Sequence, residues 1–282
     1  MSVDKILTIG ICTRDRSCLG LCLRRLSILP KIETIDVIVA DNSTYDSYVR
    51  ANRDCTEGYG FKFFHTNEFM SARNDAITMS TTKYFMWLDD DDYLSMDSIV
   101  VIEKLIEDTQ ADFISLGVNK EGRIQSYDHK IKDISSIKDR YKYLNQFDHY
   151  ARDRDTKVYL WNCAIVFRKD LAVRCANWEY VGCDDILPIT DMYINALKVI
   201  RANIPIYYYK VQTFVTSEKS ANQIKELAQN MYSSYSKLLE MNTRRDKWFC
   251  KIMKRAIQNS IRQLEVNDGL TDGSLIQLKC SF

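Results

Sequence analysis

Tyr84-Phe85-Met86-Trp87-Leu88-Asp89-Asp90-Asp91-Asp92 sets four carboxylates directly behind five apolar residues. An aromatic-rich apolar run of that length, stopped abruptly, reads as a buried strand. Four like charges in sequence repel one another and cannot stay ionised in a dry interior without a partner. A divalent cation is the partner that carboxylate oxygens suit, Mg²⁺ or Mn²⁺ above all. A strand end is also where open α/β sheets place their ligands. The plainer alternative is a solvated acidic turn, with Asp92 capping a helix that starts near Ser95.

Working outward, Ile6 to Cys12 and Ile35 to Ala40 read as buried strands, with a helix from Leu19 to Leu29 stopped by Pro30. Phe61 to His65 gives a short third strand, Phe69 to Met79 a helix, Ser95 to about Asp108 another helix, and Phe113 to Val118 a fifth strand. Such alternation predicts an α/β fold with a mostly parallel central sheet flanked by helices. Residues 119–155 are polar and break the rhythm, so they are expected to form an insertion or lid, with a short helix at Ile137 to Phe147. Strand character returns from Val158 to Phe167, helix from Ile186 to Ile200, and strand from Ile204 to Tyr209. Residues 1–217 are expected to form the main domain and 218–282 a helical C-terminal extension.

Composition narrows the function classes. The apolar share of 46% and charged share of 27% are ordinary for a soluble enzyme. A net charge of +1 gives no basic field for nucleic acid. The nine cysteines form no Cys-x-x-Cys pair, which argues against structural zinc and for reduced core thiols. The apolar stretch Ile6 to Cys12 is too short for a signal peptide and no stretch reaches membrane-span length, so a cytoplasmic location is expected.

The polar residues collect at strand ends. Thr13-Arg14-Asp15-Arg16 follows the first strand and Asp41-Asn42-Ser43-Thr44 the second. Asn67 follows the third, Ser71-Ala72-Arg73-Asn74 lies on the next helix, and the aspartates end the fourth. In a parallel sheet these ends share one edge and converge on one crevice. This ordered set resembles the inverting family 2 glycosyltransferases of the GT-A fold, which carry an Asp-x-Ser after strand two, an Ala-Arg-Asn helix and then an Asp-x-Asp motif. The resemblance covers roughly residues 5–217.

The resemblance implies roles. Thr13 and Arg14 would border the nucleotide base, Asp41 would accept a hydrogen bond from it, typically uracil, and Arg73 would face the nucleotide pocket. Asp89 and Asp90 would lie on the nucleotide-sugar, Asp89 near ribose and metal, and Asp91 would hold Mn²⁺ or Mg²⁺ on the diphosphate. Asp41 reads equally as an Asx-turn residue, because Asp-Asn-Ser-Thr is turn chemistry. The catalytic base would come from Asp184, Asp185 or Asp191: the body of the helix favours Asp191, while the Gly-x-Asp-Asp run favours the earlier pair. Asp191 at a first helical turn also suits the helix dipole. Where the family often has a metal-binding histidine, this chain has Gln212, and His65, His129 and His149 are not at matching places. Trp178 is the candidate for stacking on the acceptor sugar, while Trp161 sits in an apolar run and reads as core.

From Thr243 to Gln263 the chain is basic and amphipathic, with a stripe from Trp248 to Ile261 suited to its own domain or to an anionic membrane surface. The expected activity is transfer of a sugar from a nucleotide-diphosphate donor, UDP-linked, to a hydroxyl of a glycan or glycoconjugate, with inversion and with a metal. A nucleotidyltransferase is the rival, disfavoured because no glycine-rich loop follows the first strand. A non-catalytic glycosyltransferase-like binding protein is the third reading, motivated by Gln212 and the respelled acid pair.

Overall fold

The computed structural model describes residues 5–67, 69–120, 129–136, 139–140, 163–175 and 187–210. The chain divides into two units, Met1–Ala176 with Pro188–Val211, and Asn177–Leu187 with Gln212–Phe282. All described residues but Leu187 belong to the first. The expected extension at 218–282, and with it the basic stripe, lies outside the described residues.

The strands are β1 (Leu7–Thr13), β2 (Ile35–Asp41), β3 (Lys62–His65), β4 (Tyr84–Asp89), β5 (Tyr93–Leu94), β6 (Phe113–Lys120), β7 (Ile131–Asp133), β8 (Ile165–Arg168) and β9 (Val199–Tyr209). The helices are α1 (Leu19–Ser27), α2 (Asp46–Gly58), α3 (Phe69–Met79), α4 (Ser98–Thr109), α5 (Lys169–Cys175) and α6 (Leu187–Asn195). All nine strands join one sheet in the order β3-β2-β1-β4-β8-β6-β9-β5, with β7 also on β9. Strands β1 to β4 pair in parallel, β8 runs antiparallel between β4 and β6, β9 is parallel to β6, and β5 and β7 are antiparallel to β9. The sheet is therefore mixed but mostly parallel, as the alternation of elements predicts.

Side chains alternate across a strand, so β1 serves both faces. Leu7, Ile9 and Ile11 join one core with Leu19, Leu23 and Leu26 of α1 and Ile99, Ile102 and Ile106 of α4. On the other face a Cβ at Gly10 would lie 2.4 Å from Phe85 Cζ and 2.6 Å from Trp87 Cζ3. Phe85 and Trp87 meet edge to face there, with ring centroids 4.7 Å apart, and α3 packs on β1 and β2. A side chain at position 10 would expel those rings. Gly117 makes the second close approach. A Cβ there would stand 2.9 Å from the Ile204 carbonyl group, at the point where the β6–β9 register shifts.

Several expectations change at their ends. Helix α6 stops at Asn195 instead of reaching Ile200, because the Asp112 carboxylate accepts the N–H groups of Leu197 and Lys198 and turns the chain into β9. Part of the expected insertion belongs to the sheet: β6 runs to Lys120, and β7 is an edge strand with all three residues exposed. Of the expected 137–147 helix only residues 139–140 are described. There the Arg140 guanidinium donates to the carbonyls of Tyr193, Ile194 and Leu197, satisfying the open end of α6. Helix α2 gave no periodic apolar signal: its buried residues are Asn52 and Thr56.

Candidate active site

Strand register brings the polar ends together. Thr13 lies opposite Asp41, Asp41 opposite His65, and Cys12 opposite Asp89. The end of β1 therefore sits between the Asp41 loop and the aspartates, as the shared-edge argument requires.

The four aspartates divide in two. Asp90 and Asp92 are 4% and 1% exposed, whereas Asp89 and Asp91 are half-buried. Asp90 Oδ2 accepts from the Thr13 hydroxyl at 2.7 Å, and its Oδ1 accepts from Arg16 Nη1 at 3.3 Å. Asp92 accepts from the Tyr207 hydroxyl at 2.7 Å and the Lys210 N–H at 2.8 Å. The Tyr207 oxygen in turn accepts the Asp89 N–H at 3.1 Å, and the Asp92 N–H closes a turn on the Asp89 carbonyl. The two inner carboxylates thus fasten the turn, while Asp89 and Asp91 stay half-buried and Asp91 Oδ2 accepts from Arg16 Nη1 at 3.2 Å. Burial, helped by the charge of Asp89, pushes Asp92 up to about 7 despite the Tyr207 and Lys210 hydrogen bonds. Burial also raises Asp90, against the pull of Thr13 and Arg16.

Asp92 does not cap the following helix. That helix begins at Ser98, with Asp97 at its cap position, and Asp92 is committed to β9. Asp90 likewise has both oxygens engaged within the protein.

On the other side of β1, Asp41 is fully enclosed. Its Oδ1 accepts the Ser43 N–H at 2.6 Å, and its Oδ2 accepts from Asn52 Nδ2 at 2.9 Å. This is an Asx turn held by α2, the turn reading of Asp-Asn-Ser-Thr. His65 Nδ1 lies 3.5 Å from Asp41 Oδ1, so this histidine at the end of β3 belongs to the same edge. Asp15 locks the two loops together: its N–H donates to Ser43 Oγ, and its Oδ1 accepts the Thr44 N–H. Arg14 is exposed beside Asp15, and the Arg73 guanidinium stands 5.7 Å from the centre of the Trp87 ring. Arg16, Tyr207 and Asn52 were not singled out from sequence. Arg16 stood inside the quoted Thr-Arg-Asp-Arg motif, whereas Tyr207 arrives from a strand more than a hundred residues away and had no local signal.

Asp191 lies on α6, half-buried, and accepts from Asn195 Nδ2 at 2.8 Å one turn on. Asp184, Asp185, Trp161, Trp178 and Gln212 lie outside the described residues. Among the described residues no three metal-ligating side chains gather. Asp89 and Asp91 are the half-buried carboxylates of the turn that could hold a cation, whose shell phosphate and water would complete in the usual Mg²⁺ pattern. Among the described cysteines Cys22 and Cys163 are buried, Cys12, Cys18, Cys55 and Cys175 are partly buried, and none forms a disulfide. No helix among the described residues is long and apolar enough to cross a membrane.

Residues 8–174 match the family model for glycosyl transferase family 2, and the chain belongs to that family. It is a glycosyltransferase, which sets the nucleotidyltransferase reading aside. No curated protein matches it in sequence. Among solved structures it is similar to TarS residues 1–349 from S. aureus in complex with UDP-GlcNAc, with TM-score 0.61, 14% identity, and coverage of 95% of this chain and 74% of that one. It is also similar to the mannosyltransferase PcManGT from Pyrobaculum calidifontis in complex with GDP-Man and Mn²⁺, with TM-score 0.55, 14% identity, and coverage of 99% and 80%. At such identity these likenesses establish the fold, which is GT-A-like.

Proposed function

We propose that this chain transfers a sugar from a nucleotide-diphosphate donor, UDP-linked, to a hydroxyl of a glycan acceptor, with inversion and with Mn²⁺ or Mg²⁺. The observation that carries the reading is the split of the four aspartates. Asp90 and Asp92 are buried and bonded within the turn, while Asp89 and Asp91 stay half-buried at the strand-end edge that also carries the loops after β1 and β2. The bound molecules of the two similar structures, UDP-GlcNAc in one and GDP-Man with Mn²⁺ in the other, support this class of donor.

The acceptor oxygen attacks the anomeric carbon from the face opposite the phosphate. The bond from that carbon to the phosphate oxygen breaks, and the nucleoside diphosphate leaves with the electron pair. A carboxylate takes the acceptor proton, with Asp191, Asp185 and Asp184 as the candidates. Asp91 and Asp89 would hold the divalent cation, which would supply positive charge where the leaving diphosphate gains negative charge. Thr13, Arg14, Asp41, Arg73 and His65 border the space for the nucleotide, the enclosed Asp41 by shaping the loop. Acceptor contact through Trp178 and a peripheral membrane position of the basic C-terminal stripe complete the reading.

The test is release of nucleoside diphosphate from a panel of UDP- and GDP-sugars by the full chain, with and without Mn²⁺. Cation-dependent release that is lost in Asp91→Asn is the expected result. Undiminished release by Asp91→Asn in excess chelator would sink the cation-dependent reading.

A further inference from the structure

The acidic turn already holds a positive charge of its own. A single nitrogen, Arg16 Nη1, stands 3.3 Å from Asp90 Oδ1 and 3.2 Å from Asp91 Oδ2. It thus bridges one buried and one half-buried carboxylate. We propose that Arg16 is the built-in counter-ion of this turn and competes with a divalent cation for Asp91. The inference rests on the cation-dependent reading above.

The backbone puts Arg16 there. Asp15 adopts a left-handed conformation, φ 47°, which reverses the chain after β1. The reversal is clamped by the Asp15 N–H on Ser43 Oγ at 2.9 Å and the Thr44 N–H on Asp15 Oδ1 at 2.8 Å. The Asn42 N–H on the Thr13 carbonyl at 3.0 Å adds a third tie. Arg14 is left beside Asp15 while Arg16 returns to the aspartates.

The two contacts differ in what they cost to break. Asp90 is buried and its other oxygen is bonded to Thr13, so Arg16 has a fixed partner there. Asp91 is more open, and the Arg16 side chain is 46% exposed. One nitrogen shared between two carboxylates is not the paired, two-donor geometry that makes arginine–carboxylate contacts strong. A half-exposed contact of this kind is weak and gives way to a cation of twice the charge. Without donor, Arg16 relieves the repulsion among the aspartates and lowers affinity for free cation. With donor, the diphosphate adds oxygen ligands that favour the cation over Arg16, so cation and donor load together.

The experiment is Mn²⁺ binding to the full chain without donor, read from the electron spin resonance of free Mn²⁺, for wild type, Arg16→Gln, Arg16→Lys and Asp91→Asn. Arg16→Gln should bind Mn²⁺ roughly three- to tenfold more tightly than wild type. Arg16→Lys, which keeps the charge, should stay nearer to wild type, and Asp91→Asn should bind more weakly than either. A gain in affinity is a change that simple damage to the fold would not produce, and a thermal melt of each variant checks folding. If Asp91→Asn weakens binding but Arg16→Gln equals or falls below wild type, the competition is overturned and the cation site stands. If neither wild type nor Arg16→Gln takes up Mn²⁺ even with millimolar UDP present, both the competition and the cation-dependent reading fall.

Discussion

The two edges of the β3-β2-β1-β4 half-sheet handle polar groups in opposite ways. At the edge where these strands begin, the buried carboxylate is met by cations. Asp36 takes Lys5 at 2.9 Å, Lys62 at 2.8 Å and the Thr81 hydroxyl at 3.1 Å. Thr8, Ser80 and Thr82 bond one another in a closed, buried hydroxyl cluster. At the edge where the strands end, Asp89, Asp90, Asp91 and Asp92 follow one another in a turn on one side of β1 and Asp41 lies on the other, with Arg16 against Asp90 and Asp91 and His65 against Asp41. One edge is balanced for stability. The other brings four consecutive carboxylates to one turn, where their mutual repulsion works against stability.

Substitutions at the two edges should therefore separate activity from stability, and four of them test the contrast. The largest effect is expected for Asp91→Asn, with loss of transfer on the order of a hundredfold. Its unfolding midpoint should hold or rise, because a repelling charge is removed. A fall in both activity and midpoint would break the contrast between the edges. Gly10→Val lies between the edges and should cost about 3 kcal/mol in denaturant unfolding, because its side chain collides with Phe85 and Trp87 in a close-packed core.

Tyr207→Phe removes the oxygen that joins the Asp89 N–H to Asp92. Leaving those groups unsatisfied should cost about 1–3 kcal/mol. Transfer should fall as well, since the turn carrying Asp89 and Asp91 loses its anchor; unchanged kcat would show that β9 does not position it. The smallest effect is at the starting edge. Asp36→Asn should lower stability by about 1 kcal/mol or less, because both lysines are well exposed, and should leave transfer untouched.

The acid dependence of Asp36 sharpens that last point. Burial alone would raise this carboxyl, but the hydrogen bonds and charges of Lys62 and Lys5 outweigh it and hold it below the ordinary range. A carboxyl depressed in the folded state stabilises the protein above its unfolded pKa, and that contribution is lost as pH falls through the folded value. Wild type should therefore lose more stability than Asp36→Asn between neutral pH and the acid side of the carboxylate range, measured by urea unfolding across pH.

How much of this was legible beforehand depended on whether the signal was local. Helix α3 was read with its observed ends, and β4 to within one residue, because apolar runs and their polar stops mark them directly. Helix α2 went unread because it buries Asn52 and Thr56, which look like loop residues, to hold the Asp41 turn. The end of α6 was misjudged because Asp112, far away in sequence, pulls the chain into β9.

The order of motifs along the chain was sufficient to determine the family, the mostly parallel sheet and the edge at which the chemistry gathers, since strand periodicity and strand ends are properties of neighbours in sequence. Tertiary structure alone decided which of the four adjacent aspartates face inward. Their spacing treats them as equivalent, and only the arrival of Thr13 and Arg16 from one side and Tyr207 from the other makes Asp90 and Asp92 buried fasteners while Asp89 and Asp91 stay half-buried. Such partners are set by where distant strands lie side by side, which no local pattern encodes.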